Sequence, residues 1–569
     1  MTGAVLPQVI VLAHRLDIAP AFQLSRQVPE ARRIVVCPHL ADRCRAEGLE
    51  VELLAVPDVD PMREHYSRSR AMAYELHVGI DALLAGLDAQ APGCDWIQQD
   101  LFYALYNANG YAALWSQAIE VLGDVHWHVM LPDQPWRYGC HSFLPSVLLL
   151  ERLRGRGRRF SAYSHALPRW DEVQLPDLAA LHPDARPEVL VHLPTCFYDH
   201  QHFERALIDS GRSLLKLPSQ HYDVELPQVP GLPLVPLSSL QAALPDDRRG
   251  QIDAVVDAVR SHLLLAWQTR ITTPQFLGQQ VSALAENCRQ RLVLSAHLEM
   301  HLGSRPPHTL LMSNHDAGLH GPLLSFARRH RCRVLMVPHS KIFNAPVPAA
   351  PLDLRALTHP VQGMPVHDRH GRAVATHALA FPEQIQWSSG NVRPLRSLGV
   401  LLPGLSYNGL CGGSLPRFVQ GLRELRDFCQ AHGIRCRIRS KPSEPMISLL
   451  CRELGLAEAE LLQDMGGSLD EFGSRCDLCL TFDVATSAAI ELMRRGVPTL
   501  HAQLRPLILE ETALMDPGLV PSAMLSEVLE RLRLYAADGS HLWAFGRDQH
   551  LAYLRSWAAA QPLVSLLRA

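Results

Sequence analysis

The stretch HTLLMSNHDAGLHGPLLSFARRHRCRVLMVPH, residues 308 to 339, decides the fold class. HTLLMSN is a short apolar run that ends in polar residues. GPLLSFARRHR repeats its apolar positions at helical spacing. CRVLMVPH is a second apolar run. Continuous apolar runs suit strands covered on both faces, as in parallel sheets flanked by helices. The stretch therefore predicts a right-handed βαβ crossover. Both strands end in polar clusters: Asn314, His315 and Asp316 after the first, His339, Ser340 and Lys341 after the second. Ligands of open α/β sheets bind beyond the carboxyl ends of the strands. These clusters stand where a ligand is expected.

The same alternation extends in both directions. QVIVLAH (8 to 14), RIVVCPH (33 to 39), VHWHVML (125 to 131), EVLVHLP (188 to 194) and SLLKLP (213 to 218) read as buried strands. AFQLSRQVPEA reads as the helix between the first two. Residues 227 to 245 are proline-rich and read as an extended connector. Residues from about 248 to 303 read as helical throughout. Residues 355 to 390 are polar and lead to WSSGNVRPLRS (387 to 397), the best domain boundary. A second α/β unit starts at LGVLLPGLSYNG (398 to 409). The helix LPRFVQGLRELRDFCQAHG, the strand IRCRIRSKP, the helix MISLLCRELG, the strand DLCLTFD, the helix ATSAAIELMRRG and the strand VPTLHA follow. From about residue 523 the chain reads as helical to its end. The expected domains are 1–390, an α/β domain with a helical insertion near 248–303, and 391–569, an α/β domain with terminal helices.

Composition narrows the function classes. The chain has 569 residues, of which 47% are hydrophobic and 20% charged, the profile of a globular protein with more than one core. A net charge of −3 gives no global basic field for nucleic acid. No apolar run reaches the roughly 18–20 residues of a membrane span; FLPSVLLLERL is too short. The N-terminus has no basic region before its first strand and does not read as a secretory signal. The expected location is cytoplasmic, with peripheral attachment at the inner membrane left open. The 13 cysteines follow no repeated spacing and read as reduced thiols. RCDLC (475 to 479) lacks the second pair of a zinc ribbon, and HWH and HDRH lack a third ligand at defined spacing. No metal site is expected, and PDVDP (57 to 61) lies in an early loop. P-loop, G-x-G-x-x-G and G-x-S-x-G motifs are missing, which weighs against NTPases, dehydrogenases and α/β-hydrolases.

The second unit gathers chemistry at three successive strand ends. These are Ser406, Asn408 and Gly409; then Arg439, Lys441, Pro442 and Glu444; then Asp483 to Ser487. Arginine and lysine supply fixed charge for phosphate oxygens, and Pro442 fixes the turn that aims them. Helix N-termini bind phosphate through free N–H groups, with Thr486 and Ser487 as added donors. Glu491, one turn on, is placed to accept from ribose hydroxyls. Each residue taken alone also suits a structural role: Ser487 as a helix cap, Arg439 and Lys441 as partners of surface acids.

The run RSKP…DLCLTFDVATSAAIELMRRGVPTL resembles the donor half of GT-B glycosyltransferases that build capsule and lipopolysaccharide. The matching residues are Lys441-Pro442, Thr486-Ser487, Glu491 and Gly496 to Pro498. LLMSNHDAGLHGPLLSFARRHRCRVLMVPHS is similar to a unit of sialic-acid, Kdo and capsule-type transferases through Asn314, Asp316 and His339. Lysine stands where the family usually has histidine before the proline, and Ser340 where it usually has glycine. The resemblance covers about 220 residues and implies two Rossmann-like domains facing across a cleft, GT-B-like, with helical insertions and C-terminal helices, residues 1–390 on the acceptor side and 391–569 binding the nucleotide-sugar; the last helices read as packing back on the first domain. It implies a metal-independent glycosyltransferase with a nucleotide-sugar co-substrate, CMP-Kdo or CMP-sialate-like favoured and UDP-sugar the alternative. The acceptor is a surface glycan or glycolipid. His339 and the three strand-end clusters hold the donor. Asp316, His315 and Asp133 compete for the role of general base, with Asp100 a further competitor. A CDP-polyol phosphotransferase, a UDP-sugar 2-epimerase and an inactive glycan- or partner-binding scaffold are the rival readings.

Overall fold

A computed structural model describes residues 6–54, 61–133, 136–138, 141–143, 145–166, 175–181, 187–193, 200–218, 229, 231–238, 244–268, 274–313, 319–337, 353–360, 366–368, 372–380, 392–403, 406–407, 410–411, 414–440, 446–506 and 519–568. The expected α/β architecture is the one observed: three parallel sheets carry the described chain, each covered by helices.

The first sheet holds β1 (Gln8–Leu12), β2 (Arg32–Val35), β3 (Glu52–Leu53), β4 (His126–Pro132) and β7 (Phe160–His165), in the order β3-β2-β1-β4-β7. A short ribbon, β5 (Trp136–Tyr138) with β6 (His141–Phe143), follows β4. Strand β1 shows why the sequence folds this way. Val9 and Val11 enter one core with Tyr111, Trp115 and Leu149. Ile10 and Leu12 enter the core on the other face with Ile18, Leu24 and Leu40. Successive strand side chains point to opposite faces, so a strand covered twice is apolar along most of its length. Each such side chain contributes about 1.5–3 kcal/mol on burial. The covering helices are α1 (Ile18–Gln27) and α2 (Pro38–Ala46) on one face, with α3 (Pro61–Ala85), α4 (Gln98–Leu122) and α5 (Pro145–Gly155) completing the unit.

The second sheet runs β10-β9-β12-β13-β14-β15-β23. Its strands are β9 (Val189–His192), β10 (Leu214–Lys216), β12 (Thr309–Ser313), β13 (Arg333–Val337), β14 (Leu354–Thr358), β15 (Ala375–Ala380) and β23 (Gln561–Pro562). A ribbon of β8 (Leu175–Pro176) and β11 (Leu237–Ser238) falls within the stretch read as a connector. Strands β12 and β13, with α9 (His320–His330) between them, are the βαβ unit read from residues 308 to 339, paired in parallel as expected. α6 (His200–Asp209) lies between β9 and β10. The stretch read as one helical region is two packed helices, α7 (Asp246–Gln268) and α8 (Pro274–Leu302). The chain end returns here: β23 pairs with β15, and Leu563, Leu566 and Leu567 join Leu311 and Leu335 in one core.

The third sheet runs β19-β16-β20-β21-β22. Its strands are β16 (Ser397–Leu401), β19 (Arg435–Arg439), β20 (Leu478–Phe482), β21 (Thr499–Gln503) and β22 (Ser522–Met524). The strand read as leading into a turn at Ser406 continues as a hairpin, β17 (Ser406–Tyr407) with β18 (Leu410–Cys411). The helices are α10 (Leu415–Ala431), α11 (Ile447–Leu454), α12 (Glu458–Gly466), α13 (Leu469–Ser474) and α14 (Ala488–Arg494). Gly399 in β16 is required by close approach: a Cβ there would lie 2.8 Å from the sulfurs of both Cys476 and Cys479. Those thiols are buried packing groups, and burial pushes the Cys479 thiol well up, with Cys476 beside it adding to the shift.

Among the described residues no helix is long and apolar enough to cross a membrane.

Asp100 does not face an open cleft. Its carboxylate, 1% exposed, lies 2.5 Å from the guanidinium of Arg291, which is 4% exposed, and the pair joins α4 to α8. Removing one member of a buried pair strands the other charge, at a cost of about 3–5 kcal/mol. Asp100→Ala is therefore expected to lower unfolding free energy in urea by about that amount, and the double variant Asp100→Leu/Arg291→Met to recover most of it. Equal losses in both variants would show that the pair is not what joins the helices.

Candidate functional site

Each sheet has a point where the strand order reverses, and a crevice forms there past the carboxyl ends of the strands. In the third sheet the reversal lies between β16 and β20. Strand β20 ends at Phe482, and Asp483 follows with φ of 64°. This is the left-handed region, uncommon for a residue with a Cβ and a mark of local strain that the surroundings must sustain. Two other described residues other than glycine share it. Arg331 caps the C-terminus of α9, a common place for that conformation, and Asp95 lies just before α4. Asp483 has neither excuse: it stands directly at the mouth of the reversal point. Its backbone N–H donates to the Ala502 carbonyl at 2.9 Å, which fixes the bend.

The residues after the bend are the ones the sequence singles out. The Thr486 hydroxyl oxygen is buried and has no hydrogen-bond partner among the described residues. Ser487 is the residue preceding α14, yet its side chain makes no capping hydrogen bond. Ser487 is thus not the cap that a purely structural role would make it. Glu491 lies one turn on and is 3.4 Å from Arg494.

Arg439, at the end of β19, is held inside the domain. Its guanidinium donates to the Asp464 carbonyl and lies 5.8 Å from the centre of the Phe472 ring. The Asp464 carboxylate takes Arg437 and Arg475, each at 3.2 Å. Asp464, which the sequence reading did not single out, thus organises the basic strand. Ser440 follows, 2% exposed, with its hydroxyl 2.8 Å from the Met465 sulfur. Ser406 lies in β17, paired with Cys411. Lys441, Pro442, Glu444, Asn408 and Gly409 lie outside the described residues, as do His315, Asp316 and His339. Ser313, which ends β12 immediately before Asn314, is fully buried, and its carbonyl lies 2.9 Å from the His320 ring.

Asp133 belongs to a different crevice. It follows β4 in the first sheet, is exposed, and donates its backbone N–H to the His165 carbonyl at 3.0 Å. The first and third sheets meet nearby. Asp42 in α2 accepts from the backbone N–H of Ser448, in the first turn of α11, at 2.9 Å. Leu53 of β3 packs against the third sheet's core. Helix α2 begins beyond the carboxyl end of β2, and α11 begins just past the Arg439–Glu444 segment. Among the described residues no group of three or more His, Cys, Asp or Glu is arranged to hold a metal ion.

No known protein family matches the sequence, and no curated protein does either. Several solved structures share part of its chain trace. The glycosyltransferase SnogD from Streptomyces nogalater is 14% identical over 67% of this chain and 97% of its own, with a TM-score of 0.38. MurG from Acinetobacter baumannii is 13% identical over 78% of this chain and 99% of its own, at 0.32. A UDP-N-acetylglucosamine 2-epimerase is 10% identical over 65% and 94%, at 0.32. The strand pairing described above, rather than these scores, carries the fold.

A buried hydroxyl without a partner costs about 1–3 kcal/mol of stability. Thr486→Val keeps the shape and removes that cost. The variant is expected to be as stable as the parent or about 1 kcal/mol more stable in thermal or urea unfolding. Destabilisation by that amount would mean the hydroxyl serves the fold and not a ligand.

Proposed function

We propose that this chain is a glycosyltransferase that moves a sugar from a nucleotide-activated donor to a hydroxyl of a glycan or glycolipid acceptor. The carrying observation is the Asp483–Ser487 corner. A strained aspartate sits at the reversal point of a parallel sheet, followed by one buried unpartnered hydroxyl and one hydroxyl not used as a cap. Such a corner suits the phosphates and ribose of a nucleotide. On this reading Lys441 meets the phosphate charge and Pro442 fixes its turn. Glu444, Ser406, Asn408 and Gly409 complete the donor side, and Glu491 accepts from the ribose. The Asp464 hub holds Arg439, two residues before Lys441 in sequence. His339 follows β13 in sequence and Asn314, His315 and Asp316 follow β12, and on this reading they supply donor contacts and the general base.

The leaving group departs as a nucleoside phosphate while the acceptor oxygen, losing its proton to the base, bonds to the anomeric carbon. Lysine and hydroxyl donors stabilise the charge that develops on the phosphate, so we propose transfer without a metal. The favoured donor is a CMP-linked acidic sugar, with a UDP-sugar as the alternative. The proposed setting is the cytoplasm, with attachment to a membrane surface through the acceptor lipid.

Release of free nucleotide from CMP-Kdo, CMP-sialate and UDP-N-acetylglucosamine, with and without EDTA, tests the reading. Expected is release of CMP that EDTA leaves unchanged and that Lys441→Ala lowers by roughly 100-fold. Release of UDP with transfer keeps the class and changes the donor. Release of UDP with a free epimerised sugar and no acceptor product contradicts transfer, as does no release from any donor.

A further inference from the structure

The nucleotide reading leaves an arginine run unused. RLRGRGRR, residues 152 to 159, holds five arginines in a chain whose net charge is −3. The run ends α5 and leads into β7. Its backbone is fixed. The Arg158 N–H donates to the Leu153 carbonyl at 2.9 Å, and the Gly157 N–H to the Arg154 carbonyl at 3.1 Å. Gly157 takes a φ of 62°, as the closing residue of such a helix stop requires. The Arg159 carbonyl then accepts from the Trp127 N–H at 3.0 Å, which joins the run to β4.

Two of the five arginines have acid partners. Arg156 bonds the Glu120 carboxylate and Arg158 lies 3.8 Å from Asp124, so the α5 stop and the end of α4 form one surface. Arg152, Arg154 and Arg159 pair with no carboxylate among the described residues. Arg154 lies 5.7 Å from the centre of the Phe160 ring. Closely spaced arginines elsewhere are employed inside the fold: Arg328 and Arg329 hold the Gln90 carbonyl and Asp88, and Arg437 and Arg439 hold Asp464. Cations also complement the dipole at a helix C-terminus, which accounts for Arg152 and Arg154. Arg158 and Arg159 lie beyond the helix, so the dipole does not account for them.

The surface stands clear of the rest of the molecule. A Cβ on Gly123, Gly155 or Gly157 would meet nothing within 4 Å, so no wall rises over these turns to enclose a small ion. Val121, 47% exposed, lies in the same place. Open cationic ground beside an exposed aliphatic side chain suits a flat array of phosphates above an apolar layer. Nucleic acid offers the phosphates but no apolar layer, and the Phe160 ring, with Arg154 over it, is not free to stack on a base.

We propose that residues 152–159, with the end of α4, dock this protein on a membrane rich in anionic phospholipid. Arg152, Arg154 and Arg159 meet the lipid phosphates, and Val121 enters the headgroup boundary. The surface lies at the amino ends of β4 and β7, so docking leaves the carboxyl end of the first sheet open. It depends neither on the nucleotide corner nor on an acceptor lipid.

The test is sedimentation of the full-length protein with vesicles of phosphatidylcholine alone and of phosphatidylcholine mixed with phosphatidylglycerol, at low salt and at about 0.5 M salt. These vesicles carry no glycolipid, so binding through an acceptor does not contribute. A duplex DNA oligonucleotide, titrated at the same low salt, is the rival polyanion. Expected is binding to the phosphatidylglycerol vesicles at low salt that high salt abolishes, with phosphatidylcholine inert and DNA bound more weakly. Arg154→Gln/Arg159→Gln is expected to weaken vesicle binding by roughly 25-fold, about fivefold for each arginine. Both side chains are exposed, so its melting temperature is expected to match the parent's. Arg533→Gln/Arg547→Gln makes the same change in net charge elsewhere on the surface and is expected to bind vesicles as the parent does. No binding to phosphatidylglycerol vesicles, equal binding to phosphatidylcholine, tighter binding to DNA, or the same vesicle affinity in the two double variants would overturn the proposal. The nucleotide-dependent rise in melting temperature is expected to be the same in Arg154→Gln/Arg159→Gln as in the parent, so failure here and failure of the donor reading give different results.

Discussion

A parallel strand buried on both faces favours apolar side chains along its length, and where β20 and β21 bury Thr481 and His501 the two bond to each other. That constraint shapes this molecule. Val9 to Leu12, Leu310 to Met312 and Leu478 to Leu480 feed alternate side chains into cores on either side. Polar chemistry is displaced to the strand ends, and at the reversal points neighbouring loops diverge and leave space. The Asp483–Ser487 corner, and the Asp17 carboxylate 3.2 Å from the His165 ring at the end of β7, are two results of the same rule. The Asp42–Ser448 contact between α2 and α11 then ties the first unit to the third.

Strain and unsatisfied groups are what separate the nucleotide corner from ordinary loop structure. Asp483 holds a left-handed backbone, and Thr486 hides a hydroxyl without a partner among the described residues. Each costs of order 1–3 kcal/mol, so the fold sustains both against its own stability. Arg439 is the opposite case. It is employed inside the domain, on the Asp464 carbonyl and the Phe472 ring.

Local pattern made much of the fold legible. The βαβ unit at 308 to 339, strands β16, β19, β20 and β21 and helices α10, α11 and α14 follow from apolar runs, helical spacing and glycine stops, whereas α12, α13 and β22 do not show in that pattern. The hairpin pairing Tyr407 with Leu410 brackets an Asn-Gly pair, a strong turn signal that was legible as a turn, while the flanking strands were too short to show. What the pattern did not show is long-range. Nothing near Arg439 announces Asp464, and nothing near Asp100 announces Arg291. The return of residues 561–562 to pair with β15 was legible only as a terminal helix docking back on the first domain. The Asp17–His165 pair was missed altogether, because a turn aspartate and a strand-end histidine carry no spacing that links them.

The central claim is that the third sheet's reversal point binds a nucleotide. The most direct measurement is the melting temperature of the purified protein with CMP, CDP, UDP, GDP and ADP, each with and without EDTA. A ligand that binds only the folded state raises the melting temperature by mass action. The account predicts a rise with a cytidine or uridine nucleotide, kept in EDTA and lost in Lys441→Ala. No rise with any of the five would contradict it.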